Sequence, residues 1–190
     1  MQMNIDLTWQ WHKWADITCI VFGAKKKATE IFTDMLARDP KDVYALSSLA
    51  HLKAESGDRA GAVSVYQKLV SDERAPVSAW FNMGYLQQEL GNLSDAESSF
   101  RRALALNPKL DQAWYGLGLV LIEQGRLEDA TEALEQNTKL QPMSPYAWYQ
   151  LARVHLDRGA PEAAKKIIKH LKGFEPKFAA QLERETGLSV

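Results

Sequence analysis

Residues 80–89 and 96–106 carry apolar side chains at helical spacing, not in the alternation of a strand. Gly91 separates the two segments, where a turn between helices needs a residue free of Cβ strain. The same arrangement recurs along the chain. Gly23, Gly57, Gly91, Gly125 and Gly159 are each 34 residues apart and account for five of the eleven glycines. Five residues after each comes an alanine: Ala28, Ala62, Ala96, Ala130 and Ala164. Four beyond each alanine sits a large apolar residue: Phe32, Tyr66, Phe100, Leu134 and Ile168. Eight further on stands Pro40, Pro108, Pro142 or Pro176, with Arg74 in the remaining copy. Trp80, Trp114 and Trp148 precede three of the glycines in register. The pattern predicts helical hairpins. The small residues let paired helices approach, and the proline ends each second helix. One hairpin cannot bury its apolar face alone, so neighbours must stack. After Pro176, residues 177–186 read as a last helix. Phe178, Leu182 and Ala179 would face the preceding repeat, and Glu183, Arg184 and Glu185 the water.

These residues resemble the tetratricopeptide repeat (TPR) family, whose pattern is Trp, Leu, Gly, Tyr, Gly, Ala, Phe, Ala, Pro. With the tryptophan as fourth position, the repeats are 9–42, 43–76, 77–110, 111–144 and 145–178. Repeat 77–110 matches best, through Trp80, Met83, Gly84, Gly91, Ala96, Phe100, Ala103 and Pro108. Repeat 43–76 has Leu46 for the tryptophan, and in repeat 9–42 His12 replaces it and Asp16 replaces the small residue. The resemblance implies an all-α fold. It would be a right-handed superhelix, an α-α solenoid of five helical hairpins, forming one domain with a capping helix and tail over 179–190.

The resemblance also implies a binding surface, because helix A of each repeat lines a concave groove in this family. Carried onto this chain, the groove comprises Tyr44, His51, Phe81, Asn82, Tyr85, Gln112, Tyr115, Leu119, Tyr146, Tyr149, Gln150 and Arg153. Phe81, Tyr115 and Tyr149 form an aromatic ladder, joined by Tyr85 and Tyr146. Such rings give large contact area at small entropic cost, although a tyrosine at this position is also explained by packing between helices. Glu55, Glu89, Glu123 and Asp157 make an acidic row at one repeat spacing. It would prefer basic or amide-rich ligands, or simply be a solvated helix end. The family's carboxylate clamp for chaperone tails is not expected. Lys13 matches its first position, but Ile17, Ser48, Ser78 and Asn82 do not match the others. The implied ligand is a peptide or helix from a partner protein.

Composition narrows the alternatives. Apolar residues are 46% of the chain, enough for a core, and a net charge of −1 supplies no field for nucleic acid. The single cysteine, Cys19, excludes a disulfide framework. The apolar stretch 17–24 is too short to span a bilayer, and residues 1–6 lack the basic start of a signal peptide. These features predict a cytoplasmic protein without an integral membrane segment. No set of nucleophile, base and oxyanion donor assembles, so neither an enzyme nor a cofactor or metal site is expected.

Two features lie at the ends. Trp9, Trp11 and Trp14 make the first helix apolar on more than one side. It either plugs the first repeat or exposes a patch for a homo-oligomer or a partner, which gives the alternative of a self-assembling component or dedicated chaperone. Repeat 111–144 has two basic and six acidic residues, net −4, and repeat 145–178 has seven basic and three acidic, net +4. Lys165, Lys166, Lys169 and Lys172 fall on helix B of the last repeat. They form a solvated face or a dock for an anionic partner.

Overall fold

Helix ends in this chain are built by its glycines. The computed structural model describes residues 25–190. Gly57, Gly91, Gly125 and Gly159 have φ of 84°, 77°, 74° and 72°, the left-handed region that side chains with a Cβ avoid. At Gly125 the amide donates to the Ile122 carbonyl and the Arg126 amide to that of Leu121, both at 2.9 Å. These two bonds close the C-terminus of the helix and turn the chain into the next one.

Among the described residues there are ten α-helices and no strand, an all-α helical-repeat fold. They fall in two compact units, Met1–Leu90 and Gly91–Val190. Unit 1 holds α1 (Lys25–Arg38), α2 (Val43–Glu55), α3 (Arg59–Val70) and α4 (Val77–Glu89). Unit 2 holds α5 (Leu93–Leu106), α6 (Asp111–Glu123), α7 (Leu127–Leu140), α8 (Pro145–Asp157), α9 (Pro161–Lys172) and α10 (Pro176–Thr186). No helix among the described residues is long and apolar enough to cross a membrane.

The repeated alanines let backbones meet. Ala28 and Ala62 in unit 1, and Ala96, Ala130 and Ala164 in unit 2, are all completely buried. In unit 2 the packing is tighter still at the glycines of α6. A Cβ on Gly116 would lie 2.6 Å from Phe100 Cζ, and one on Gly118 2.8 Å from Leu134 Cδ2. Phe100 and Leu134 are themselves fully buried. Each is worth about 1.5–3 kcal/mol of apolar burial, and the absent side chains of α6 are what make room for them.

The prolines act in two ways. Pro108 and Pro142 follow the ends of α5 and α7, as expected, but Pro176 opens α10 instead of ending α9. Its fixed φ suits the first helical turn, where no backbone donor is needed. Where the proline is missing, Arg74 closes the loop after α3. Its amide, Nε and Nη2 donate to the Asp72 carboxylate at 2.8–2.9 Å.

Candidate functional site

In unit 1 the predicted groove residues sit on α2 and α4. The Tyr44 ring packs edge-on against Phe32, 5.8 Å between centroids. His51 is exposed, and its Nε2 lies 3.1 Å from Glu55 Oε1. Lys25 Nζ approaches the other Glu55 oxygen, also at 3.1 Å. The hydrogen bond from Lys25, then the His51 charge, hold the Glu55 carboxyl below its usual range. Phe81 is half-buried. Asn82 Nδ2 donates to Tyr66 Oη at 3.2 Å, so part of its hydrogen-bonding capacity is used within the unit. The Tyr85 ring is half exposed, and its hydroxyl donates to Glu89 Oε1 at 3.0 Å. Arg59 pairs with the other Glu89 oxygen and, together with Tyr85, lowers the Glu89 pKa. Lys25–Glu55 and Arg59–Glu89 are one recurring ion pair, so the first two members of the acidic row already have cationic partners.

In unit 2 the site residues sit on α6 and α8. Gln112 is exposed, and Tyr115 is half-buried and hydrogen-bonded to Gln150. Burial raises the Tyr115 phenol pKa. Two of the predicted aromatic residues, Tyr146 and Tyr149, touch α10, although Tyr146 stays 60% exposed. Phe178 packs edge-on against Tyr146 at 5.5 Å and Tyr149 at 6.0 Å. The Tyr149 hydroxyl is hydrogen-bonded to the Glu185 carboxylate and accepts from Gln181 Nε2 at 3.3 Å. The Arg153 guanidinium carbon lies 5.9 Å from the Tyr149 ring centroid. Burial first, and then the Glu185 carboxylate, push the Tyr149 pKa up. Glu185 and Glu183 therefore turn back onto the chain instead of only facing water; Glu183 pairs with Lys172 at 2.9 Å.

What stays open is a cleft of about 250 Å³ between α6 and α8. Leu119, Gln150 and Arg153 line it, as do Ile122, Glu123 and Asp157 from the same helix faces. Val154 completes the lining and was not expected there. It lies four residues beyond Gln150 and so shares its face of the helix. The cleft thus has an aliphatic side and a polar rim with one guanidinium and two carboxylates. It can take an apolar side chain flanked by hydrogen-bonding or cationic groups.

Some expectations fall outside the described residues: Trp9, Trp11, Trp14, Lys13, Ile17 and Cys19. Among the described residues, no group of three or more His, Cys, Asp or Glu side chains is placed to hold a metal ion.

Comparison with known proteins places this geometry. Among solved structures, a MamA protein is similar at 22% identity and a TM-score of 0.82, over 96% of this chain and 97% of that one. MamA from Desulfovibrio magneticus RS-1 is similar at 19% identity and a TM-score of 0.78, over 96% of this chain and 98% of that one. YrrB, described as a TPR protein with an unusual peptide-binding site, is similar at 16% identity and a TM-score of 0.81, over 92% of this chain and 90% of that one. At these identities the likeness is one of fold. No curated protein matches the sequence. Residues 10–170 match the family described as Cilia and flagella-associated protein 70 C-terminal domain. The chain therefore belongs to the tetratricopeptide-repeat proteins, in the family of the cilia and flagella-associated protein 70 C-terminal domain.

Proposed function

We propose that the chain is a non-catalytic interaction module that holds a peptide or helical segment of another protein between α6 and α8. The observation that carries this reading is the composition of the cleft. Leu119 and Ile122 offer apolar contact, while Gln150 and Arg153 stand beside them with polar groups at the surface. Interfaces concentrate their energy where apolar contact is ringed by orienting hydrogen bonds. Glu123 and Asp157 favour a ligand that brings a lysine, arginine or amide next to its apolar anchor. The fold shared with YrrB, which is described as having a peptide-binding site, supports the same class of ligand.

Tyr115 and Tyr149 support this cleft more than they anchor a ligand. Tyr115 fixes Gln150, and Tyr149 carries Arg153 and α10. The test is affinity capture from the native extract by the intact chain and by a Leu119→Ala/Arg153→Ala variant, read by mass spectrometry. A partner depleted at least about tenfold in the variant supports the reading, since two anchor truncations are involved. A partner retained equally by both chains contradicts it.

A further inference from the structure

The second helices of unit 2, α5, α7 and α9, leave two grooves between them. Trp114 and Leu117 of α6 line the first, and Trp148 and Leu151 of α8 line the second. The two differ in how their charges are used. In the first, Arg126 pairs with Glu97 at 2.8 Å and with Asp129, Arg101 pairs with Glu97 at 2.8 Å, and only Glu132, on the outer face of α7 at its edge, has no ion pair among the described residues. In the second, of about 380 Å³, Glu135 and Lys139 of α7 stand on one wall and Lys166 of α9 on the other. Among the described residues no ion pair is formed by Glu132, Glu135, Lys139, Lys166 or Lys169, all of them exposed. Their neighbours Lys165 and Lys172 are paired, with Glu162 and Glu183.

The unpaired charges follow the repeat. Glu132 and Lys166 are 34 residues apart, as are Glu135 and Lys169. Equivalent positions on successive repeats stand at the same level of their helices, so α7 and α9 present the same two positions with opposite sign. A foreign acidic helix would meet repulsion from Glu132 and Glu135, and a basic one from Lys166 and Lys169. One surface that offers both signs at the matching levels is this surface itself, turned over.

We propose that the α7/α9 groove is a self-association surface, and that its occupant is the same face of a second copy of the chain. The two-fold axis runs between α7 and α9 and along them. It places Glu132 opposite Lys166 of the second copy and Glu135 opposite Lys169, and symmetry supplies the reciprocal pairs. The repeats that meet carry −4 and +4, while the whole chain at −1 has little self-repulsion. This face is distinct from the Trp-rich N-terminal segment and from the α6/α8 cleft.

The test is sedimentation velocity of the intact chain across a concentration series at low and high salt. The unmodified chain should dimerise at low salt and weaken as salt screens the pairs. Lys166→Glu with Lys169→Glu should weaken the dimer at least about tenfold, since attractive pairs become repulsive. Adding Glu132→Lys and Glu135→Lys to that variant should restore the dimer. The fully swapped chain should not pair with the unmodified one. A chain that is monomeric at every concentration and salt overturns the proposal. So does a dimer indifferent to Lys166→Glu/Lys169→Glu, or a swapped chain that stays as weak as the double variant. Trp9→Ser with Trp11→Ser should leave the dimer intact; its loss there would assign self-association to the N-terminal segment instead.

Discussion

The Trp148 indole Nε1 donates to the Pro142 carbonyl at 2.9 Å. Trp114 does the same to Pro108, also at 2.9 Å. In each case the tryptophan of one repeat closes onto the proline that ended the repeat before it. Proline has no backbone donor but keeps its carbonyl, and the turn it enforces aims that carbonyl at the ring. The two most regular features of the sequence are thus halves of one joint. Replacing Trp148 with Phe should cost about 0.5–1.5 kcal/mol, the net worth of such a bond, in a urea melt followed by circular dichroism. An unchanged midpoint would show that the joint contributes no stability.

The glycines separate into two kinds, and the same substitution should tell them apart. Gly116 is kept small by Phe100, whose Cζ would lie 2.6 Å from an added Cβ. Gly125 has open space around it and a φ of 74°. Gly116→Ala should cost about 1–3 kcal/mol through overpacking, and Gly116→Asn more. Gly125→Ala should cost about 1 kcal/mol, and Gly125→Asn less, because asparagine tolerates the left-handed conformation. Thermal melts of the four variants check the order. Asparagine behaving alike at both positions would contradict the assignment.

Tyr149 ties α10 to α8 through Glu185, Gln181 and Phe178. Tyr149→Phe keeps the ring contacts and removes the hydroxyl. Amide exchange over 176–186 should then quicken while α6 and α7 keep their protection. Equal exchange in both proteins would mean that the ring contact and the fully buried Ala179 and Leu182 hold the helix without the hydroxyl.

Acid should weaken unit 2 through His155. Burial, with the Arg158 charge as second cause, lowers its pKa. The folded chain therefore favours the neutral ring, while an unfolded histidine takes up its proton near pH ~6.5. The unfolded state binds more protons between the two values, so stability is full above ~6.5 and falls as pH drops towards the folded value. His155→Gln should flatten the stability curve just below about pH 6.5, the value of the unfolded ring. The losses from Glu55 and Glu89, whose pKa values are lowered by cationic neighbours, should remain at lower pH. A curve in that interval unaltered by His155→Gln would refute the assignment.

The hairpins were legible in the sequence because each repeat states its needs locally: Gly125 for the turn, Ala130 for the close approach, Leu134 for the core. That Leu119, Gln150 and Arg153 line one cleft was legible through the family resemblance, which puts them on the same faces of α6 and α8. The fate of Tyr149 was not. Glu185 lies 36 residues away, beyond the last repeat, on the helix read over 177–186, and no period predicts its contacts. The Asn82 hydrogen bond was not legible for a different reason. Its partner Tyr66 is buried in the core, and the hydroxyl of a buried ring must find a partner nearby.

The central claim is that the α6/α8 cleft binds the partner. The most direct measurement is a fluorescence-anisotropy titration with a labelled peptide from the captured protein's contact segment. It would be titrated with the unmodified chain, with Leu119→Ala/Arg153→Ala and with Lys166→Glu/Lys169→Glu. The account predicts at least about tenfold weaker binding for the first variant and unchanged binding for the second. Full affinity in the Leu119→Ala/Arg153→Ala chain would contradict it.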